Sequence, residues 1–359
     1  MKILILSSLG SDSGCYLRAV YVARSLRNEG HEVRIVRPPK AWPFMLDLLA
    51  TLAGYFFIVL FSRADFLFAI KPYPNTLWPF LIKRALSRKI RVGVDIDDID
   101  FGYRKGVLPL VARVLQKPFP RFCDIVTCHN DNLFTFIQEE FKVPAGRIWR
   151  LDQGVDFTVF DGKPAAKKAE SDKFIAEHGL ARGRIFVYTA HLNIASDLDD
   201  ILSAFKIAWL KDSALRLVVA GGGPMFGHFT RLAAGMGLGR SVVFTDYAPP
   251  EKIRDFIRLA DHCLVYYKER PVNRYRTSMK IREYLAMSKS VVANDVGDLA
   301  EFGRFVIRSR TGVEEYAKAI LSASRKKAVP NTAGRKYIEQ NYDWAVIGRN
   351  FSGKIKTLF

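Results

Sequence analysis

The feature that most constrains this chain is an alternation of short apolar runs with stretches of helical periodicity, repeated along nearly its whole length. "KILILSS" leads through a Ser-Asp-Ser-Gly loop into "CYLRAVYVARSLRNEG", whose apolar positions recur at helical spacing, and then into "HEVRIV". A strand, a helix and a second strand in that order build a parallel pair with a crossover. "ADFLFAI", "RVGVDID", "CDIVTC" and "RIWRLDQG" continue the series. Between about Asp161 and Arg184 the sequence turns polar and Lys-rich ("DGKPAAKKAESDK"), as a linker or solvated coil does. The alternation then restarts with "RIFVYTA", "LRLVVAGGGP", "SVVFTDY", "DHCLVYY" and "SVVANDVG", with helical stretches between them. The expected fold class is therefore α/β, with two doubly wound parallel-sheet domains facing a cleft. Residues 1–160 and 185–338 form the domains and 161–184 the linker. Ligands of such sheets bind beyond the carboxyl ends of the strands.

At 359 residues, 49% hydrophobic and 25% charged, the chain has apolar material for two cores, which excludes a disordered chain. Its 55 Lys and Arg against 36 Asp and Glu give a formal charge of +19, which favours an anionic partner without choosing among nucleic acid, phosphorylated lipid, an acidic leaflet and a nucleotide. Basic residues are spread over both halves and no recognition motif is present, so nucleic acid is not the expected partner. Cys15, Cys123, Cys128 and Cys263 lack metal-like spacing and read as free thiols, which points to the cytosol. "MKILILSS" is too short and poorly flanked for a signal peptide and reads as a buried strand. "WPFMLDLLATLAGYFFIVLF", from Trp42 to Phe61, is long enough to span a bilayer, but the strand-like "RADFLFAI" follows at once. A helix docked in or on the N-terminal domain is the expectation, with an interfacial helix and a span as alternatives.

Three stretches carry candidate chemistry. In "VVAGGGPMFGHF", glycines directly after an apolar strand, Gly222 among them, allow a phosphate or sugar to approach the backbone, although such turns are as often purely structural. In "TSMKIREYLAMSKSVVANDVG", Thr277 and Ser278 can cap a helix whose free amides face an anion. Lys280 and Glu283, three apart, share a face of that helix. Ammonium and amides suit a phosphate, and a carboxylate suits the vicinal hydroxyls of a ribose; plain helix structure is the competing reading. In "VGVDIDDIDFGY", Asp95, Asp97, Asp98 and Asp100 stand at a strand end. Acceptor recognition, a base-like contact, a cation site and simple turn formation all remain open for them. His129 in "TCHND" is a further candidate, though a lone His is more often structural.

Taken in order, "KILILSS…GHEVRIV", "LDQGVDFTVF", "LRLVVAGGGP", "VVFTDYAPPEKIRDFIRLADHCLVY" and "SMKIREYLAMSKSVVANDVGDLAE" resemble the retaining GT-B glycosyltransferases of family 4, the glycosyl transferases group 1. The resemblance runs over residues 1 to 350 and is strongest from Val218 to Glu301. It implies two Rossmann-like domains and transfer from a nucleotide diphosphate sugar without a metal or a tightly bound cofactor. By position, Glu283 matches the glutamate that holds the nucleotide ribose. Ser278 and Lys280 match the helix start beside the diphosphate. Gly297, Asp298 and Leu299 match the loop that approaches the donor sugar, and Gly14 resembles the N-terminal glycine facing the diphosphate. Asp97 and Asp98 replace a His-Asp pair found in related enzymes. Tyr275 stands where a first glutamate is common, and His191 and Ser196 stand where an Arg and a Lys are common. Arg274, Arg276 or Lys280 could supply the missing charge. Residues 339–359 are expected to return as a helix onto the N-terminal domain.

The expected activity is front-side, retaining transfer of a sugar, with Asp97, Asp98 and Lys280 as catalytic candidates and Gly14, Gly222, Arg276, Ser278, Lys280, Glu283, Gly297, Asp298 and Leu299 as donor-binding candidates. No dedicated nucleophile of the kind used by retaining hydrolases is evident. Apolar and basic segments in the N-terminal half ("KRALSRKIR", "YRKGVLPLVARVLQKPFPR") suit an anionic membrane surface. They point to a lipid-linked or membrane-proximal glycan acceptor and to a cytoplasmic protein peripheral to the inner face of the membrane. The alternative is a catalytically weak scaffold or partner subunit, motivated by Tyr275, His191 and Ser196.

Overall fold

The computed structural model describes residues 1–10, 13–38, 44–87, 89–99, 114, 116–162, 168–180 and 183–359. The chain divides into two compact units, Met1–Gly154 with Trp344–Phe359, and Val155–Asp343.

The first unit holds a six-stranded sheet in the order β2-β1-β3-β4-β5-β6, with β1 Lys2–Ser7, β2 Glu32–Val36, β3 Phe66–Ile70, β4 Arg91–Asp95, β5 Ile125–Cys128 and β6 Ile148–Arg150. Every pairing is parallel, with Ile3 beside Val33 and Phe66. All of β3 is buried, as expected for a strand covered on both faces. Its helices include α1 (Gly14–Asn28), α2 (Phe44–Leu60), α3 (Pro74–Leu86) and α4 (Asp131–Glu140). Ser13 caps α1, its hydroxyl accepting from the Tyr16 amide at 3.2 Å. Within the apolar stretch, Phe44–Leu60 form α2, packed against α3, with Tyr55 and Val59 buried and the Tyr55 hydroxyl donating to the Ser7 carbonyl at 2.7 Å. Trp42 and Pro43 lie outside the described residues, and among those described no helix is long and apolar enough to cross a membrane.

The second unit contains α5 (Lys168–Glu177), β7 (Arg184–Thr189), α6 (Leu198–Lys211), β8 (Leu215–Ala220), α7 (Phe226–Gly235), β9 (Val242–Phe244) and α8 (Pro250–Leu259). β10 (His262–Val265), α9 (Met279–Ala286), β11 (Ser290–Ala293), β12 (Ile307–Arg308), α10 (Val313–Ser324) and α11 (Thr332–Asn341) complete it. Its strands are again all parallel, in the order β12-β11-β10-β7-β8-β9. Alternation along β7 divides the interior: Ile185 and Val187 join a core with Phe256 of α8, Ile281 of α9 and Ile338 of α11. Phe186 and Tyr188 join another with Leu202 of α6, Phe229 of α7 and Ile320 of α10. The sheet is thus covered on both faces. The strand order reverses between β7 and β10, which is where a doubly wound sheet opens a ligand crevice.

The last helix, α12 (Trp344–Lys356), belongs to the first unit. Trp344 stacks on Tyr21 of α1 at 5.4 Å, and Ser352 hydrogen-bonds His31 at 2.7 Å. The boundaries therefore differ from those read in the sequence. Val155 and Phe160 are buried in the second unit's core, so the division falls after Gly154 rather than after residue 160. Leu180 is buried there too, and Phe174 of α5 meets Phe256 at 5.2 Å, so the Lys-rich segment is not simply a linker. Ile338 keeps α11 with the second unit, and the return begins at Trp344. Residues 163–167 and 181–182 lie outside the described residues.

Candidate functional site

A cavity of about 380 Å³ opens in the second unit beyond the carboxyl ends of its central strands. Thr189, Ala190, His191, Asn193, Ala195 and Ser196 line it from the end of β7, Ala220 to Gly222 from the end of β8, Tyr247, Ala248 and Ile253 from the segment after β9, and Tyr267, Arg276, Thr277, Met279, Lys280 and Glu283 from the segment after β10. Gly222, Arg276, Lys280 and Glu283, proposed from sequence, thus meet on one cavity, together with His191 and Ser196.

The stretch from Thr277 explains part of this convergence. Ser278 has extended backbone and its hydroxyl accepts from the Ile281 amide at 3.3 Å, so α9 starts there and its first turn lies at the wall. Lys280 and Glu283 then project on one side of the helix. The Lys280 ammonium lies 4.7 Å over the Tyr188 ring and 3.4 Å from its hydroxyl. Burial, with Arg276 nearby, lowers its pKa to about 7, against the opposing pull of Asp197 and Glu283. Burial raises the Glu283 carboxyl to about 7, with Lys280 pulling the other way. Both groups are half-buried at the wall, and little water solvates their charges. Perturbed groups gathered in a cavity mark a candidate functional site.

Arg276 donates to the Ala195 carbonyl at 2.8 Å, lies 4.3 Å from the Tyr267 ring, and stands 3.7 Å from the buried Asp197 carboxylate. Asp197 has a left-handed φ of +50° and accepts from the Lys268 amide and the Asn273 side chain, each at 3.1 Å. A side chain at Gly222 would place its Cβ 2.4 Å from Asp246 Oδ1, so only glycine fits that turn.

Ser278, Gly297, Asp298 and Leu299 are not among the residues that line the cavity. Gly297 has a φ of +66°, and a Cβ there would lie 2.5 Å from the Asn273 carbonyl oxygen. The buried Asp298 carboxylate accepts from the Ser278 amide at 3.0 Å and from Arg282 at 2.6 Å. Arg282 is itself fully buried, 5.0 Å from the Phe302 ring and 4.5 Å from the Tyr342 ring. Burial raises the Asp298 pKa, opposed by Arg282. Leu299 is buried in the core beneath. These side chains fasten the loop to α9 from behind.

Gly14, Asp97 and Asp98 belong to the first unit. Gly14 begins α1 directly after its Ser13 cap. Asp95 is engaged by Arg18 at 2.5 and 2.9 Å and by the Thr127 hydroxyl at 2.5 Å, while Arg18 also donates to Gln153 at 2.7 Å and to the Leu151 carbonyl at 2.8 Å. Two residues on, Asp97 stands 3.5 Å from Lys71, a residue with left-handed φ of +71°, and its carbonyl oxygen lies 2.6 Å from His129 Nε2. Burial works to raise the Asp97 pKa, but Lys71, Arg18 and His129 together hold it below the ordinary value. Asp98 Oδ1 accepts from the Ile99 amide at 2.8 Å. Asp100 lies outside the described residues. Among the described residues no group of three or more His, Cys, Asp or Glu side chains could hold a metal ion. Sequence reasoning missed Arg18, Lys71, Tyr188, Asp197 and Tyr247; for Arg18 the signal was a lone cation inside the stripe formed by Cys15, Ala19, Val22 and Leu26.

Residues 183–326 match the family model of glycosyl transferases group 1. The chain is 24% identical over 287 residues to a GDP-mannose-dependent alpha-(1-6)-phosphatidylinositol monomannoside mannosyltransferase of Mycolicibacterium smegmatis, covering 77% of this chain and 72% of that one. It is 22% identical over 197 residues to TuaH of Bacillus subtilis, named as a teichuronic acid biosynthesis glycosyltransferase. That match takes in 54% of this chain but only 44% of TuaH, so the chain spans less than half of that relative. Among solved structures, Anabaena Alr3699/HepE in complex with UDP-glucose superposes with a TM-score of 0.74 at 17% identity, over 99% of this chain and 100% of that one. Residues 183–326 therefore form a glycosyl transferases group 1 domain, within a chain that has the GT-B fold of glycosyltransferases.

Proposed function

We propose that the protein is a retaining glycosyltransferase of family 4 that moves a sugar from a nucleotide diphosphate sugar to a lipid-linked or membrane-proximal glycan. The observation that carries this reading is the meeting of Arg276, Lys280 and Glu283 with the Gly222 turn in one cavity at the switch point of the sheet. In this reading Glu283 accepts from the ribose hydroxyls, while Arg276 and Lys280 balance the diphosphate where His191 and Ser196 cannot. As the bond from the sugar to the diphosphate breaks, negative charge grows on the departing phosphate. The Arg276 guanidinium, together with Lys280 in its protonated form, stabilises that charge in a poorly hydrated cavity more than it stabilises the ground state. The diphosphate oxygen then takes the acceptor proton on the same face of the sugar, and no protein nucleophile is needed. No divalent cation is required in this scheme. Acceptor recognition falls to the first unit, with Asp97, held between Lys71 and His129, as the candidate contact.

The names of the relatives, a phosphatidylinositol mannoside mannosyltransferase and a teichuronic acid glycosyltransferase, support a lipid-linked or surface-glycan acceptor. So do the exposed apolar side chains of Phe57 in α2, Phe61 directly after it, and Ile82 and Leu86 in α3, near exposed Arg63 and Lys89 in the sequence. Such a mixture suits an anionic leaflet and a peripheral, cytoplasmic location. Thermal-shift binding against UDP, GDP, ADP, TDP and CMP, each with and without Mg²⁺, tests the donor half. Selective stabilisation by one diphosphate without metal is expected. Failure of all five at millimolar concentration would refute the transferase reading.

A further inference from the structure

A second cavity of the second unit, of about 390 Å³, is lined by Lys211, Lys318, Leu321, Ser322, Arg325 and Lys326. Its place in the fold separates it from the first. α6 joins β7 to the parallel strand β8, so it starts at the carboxyl end of one and returns to the amino end of the other. Lys211 is its last residue and therefore stands at the amino ends of the strands, whereas the first cavity lies beyond their carboxyl ends. The 14 residues of α6 set the two apart by about 21 Å. α10 packs beside α6 over a shared core, and its last turn brings the other lining residues to Lys211.

Helical spacing gathers the charge. Lys318, Ser322 and Arg325 stand four and seven residues apart and so form one stripe along α10, which Lys326 continues past its end. Leu321, 7% exposed and packed in the core, closes the floor beneath them. Lys211, Lys318, Ser322, Arg325 and Lys326 are all exposed. Cations at the carboxyl end of a helix complement its dipole, but each helix end carries only about half a negative charge, so two ends answer about one cation. Lys318 pairs with Glu315 one turn back. Asp212, next to Lys211, accepts from the Ala214 amide at 3.1 Å within its own turn. Among the described residues, Lys211, Arg325 and Lys326 have no carboxylate partner. About two positive charges at one concavity thus remain unanswered by the protein. A single carboxylate would match only one of them. A chain of phosphates spreads several charges over many oxygens, which the planar fork of Arg325, the ammonium groups and the Ser322 hydroxyl can all meet as donors.

We propose that this cavity is a second anion site, for a ligand that presents two or more phosphate charges, either as a free small molecule or as headgroups of an anionic leaflet. The assignment holds whatever the first cavity binds. Isothermal titration of the full chain with inorganic tripolyphosphate tests it, in a background of Arg276→Ala and Lys280→Ala that removes cations of the first cavity. Binding should persist in that background and weaken by about tenfold or more when Lys211→Ser and Arg325→Ser are added. Ser322→Glu, which sets a carboxylate in the stripe, should weaken it as well. Arg240→Ser with Lys336→Ser, two exposed basic positions outside the cavity, should change it less than about twofold. Sedimentation with phosphatidylcholine vesicles, with and without phosphatidylglycerol, separates the sources. Loss of phosphatidylglycerol-dependent sedimentation by Lys211→Ser with Arg325→Ser assigns the site to lipid headgroups, and parental sedimentation with lost tripolyphosphate affinity assigns it to a free phosphate. Tripolyphosphate binding that disappears with Arg276 and Lys280 alone would overturn the second site. Affinity unchanged by Lys211→Ser with Arg325→Ser, or reduced equally by Arg240→Ser with Lys336→Ser, would overturn it too, the latter because diffuse surface charge would then be responsible.

Discussion

Replacing Glu283 with Gln separates a ligand-binding carboxylate from a structural one, because the two make opposite predictions for stability. Burial raises this carboxyl from an ordinary 4.5 to about 7, with Lys280 opposing the shift. A raised folded-state pKa means that the group's contribution is complete below the unfolded value and is lost as the pH climbs through the folded one. The window is therefore about pH 4.5 to 7. Moving a group over that interval corresponds to about 3 kcal/mol, an upper bound that relaxation and water entry reduce to roughly 1–3 kcal/mol. Glu283→Gln keeps the shape and removes the charge. At pH 8 the variant should unfold at higher urea concentration than the parent, whereas near pH 4.5 the two should coincide. Lys280, itself lowered to about 7 by burial, is mostly neutral at pH 8, so losing its neighbour costs little there. The same variant should bind the cognate nucleoside diphosphate more weakly by on the order of 1–3 kcal/mol, as loss of hydrogen bonds to a charged group does. Urea titrations at the two pH values and calorimetric binding at pH 8 read both effects. A variant that is less stable than the parent at pH 8, or that binds unchanged, would refute the reasoning.

Asp298→Ala leaves Arg282 buried without its carboxylate and should destabilise the protein by about 3–5 kcal/mol in urea titration; a loss below about 1 kcal/mol would mean that Arg282 finds water or another acceptor. Lys280→Ala should slow sugar transfer far more than it lowers the melting temperature, and a globally unfolded variant would favour a structural role. The double change Phe57→Ser and Phe61→Ser should reduce co-sedimentation with vesicles containing anionic phospholipid while leaving nucleotide binding unchanged. Retained sedimentation would remove this face from the proposed membrane contact.

Much of the architecture was legible because parallel strands buried on both faces read as continuous apolar runs, and "FLFAI" and "LRLVVA" are such runs. β12 was not, since two residues, Ile307–Arg308, carry no periodicity. α5 was hidden by its Lys-rich surroundings, where only Phe174, Ile175 and Leu180 hint at packing. At the cavity, the Ser278 cap and the three-residue spacing of Lys280 and Glu283 were readable because helix geometry is local. The partners of Asp95 were not, because Arg18 is 77 residues away in the chain and only the fold brings it near. Asp197 and Tyr247 escaped for another reason. What matters at each is a left-handed aspartate, at 197 and at 246, and no composition rule signals that conformation without the loop that imposes it.

The ion pair between Arg282 and Asp298 also bears on how this chain can change over evolutionary time. One member lies on the helix that carries Lys280 and Glu283, and the other lies on the loop that follows β11. Losing either alone strands a charge in the interior, whereas exchanging both for apolar residues of similar volume is often neutral or favourable. Drift at these two positions is thus confined to coordinated replacements, and the route between them passes through a poorly folded intermediate. Single replacements are left to positions that hold no buried counter-charge.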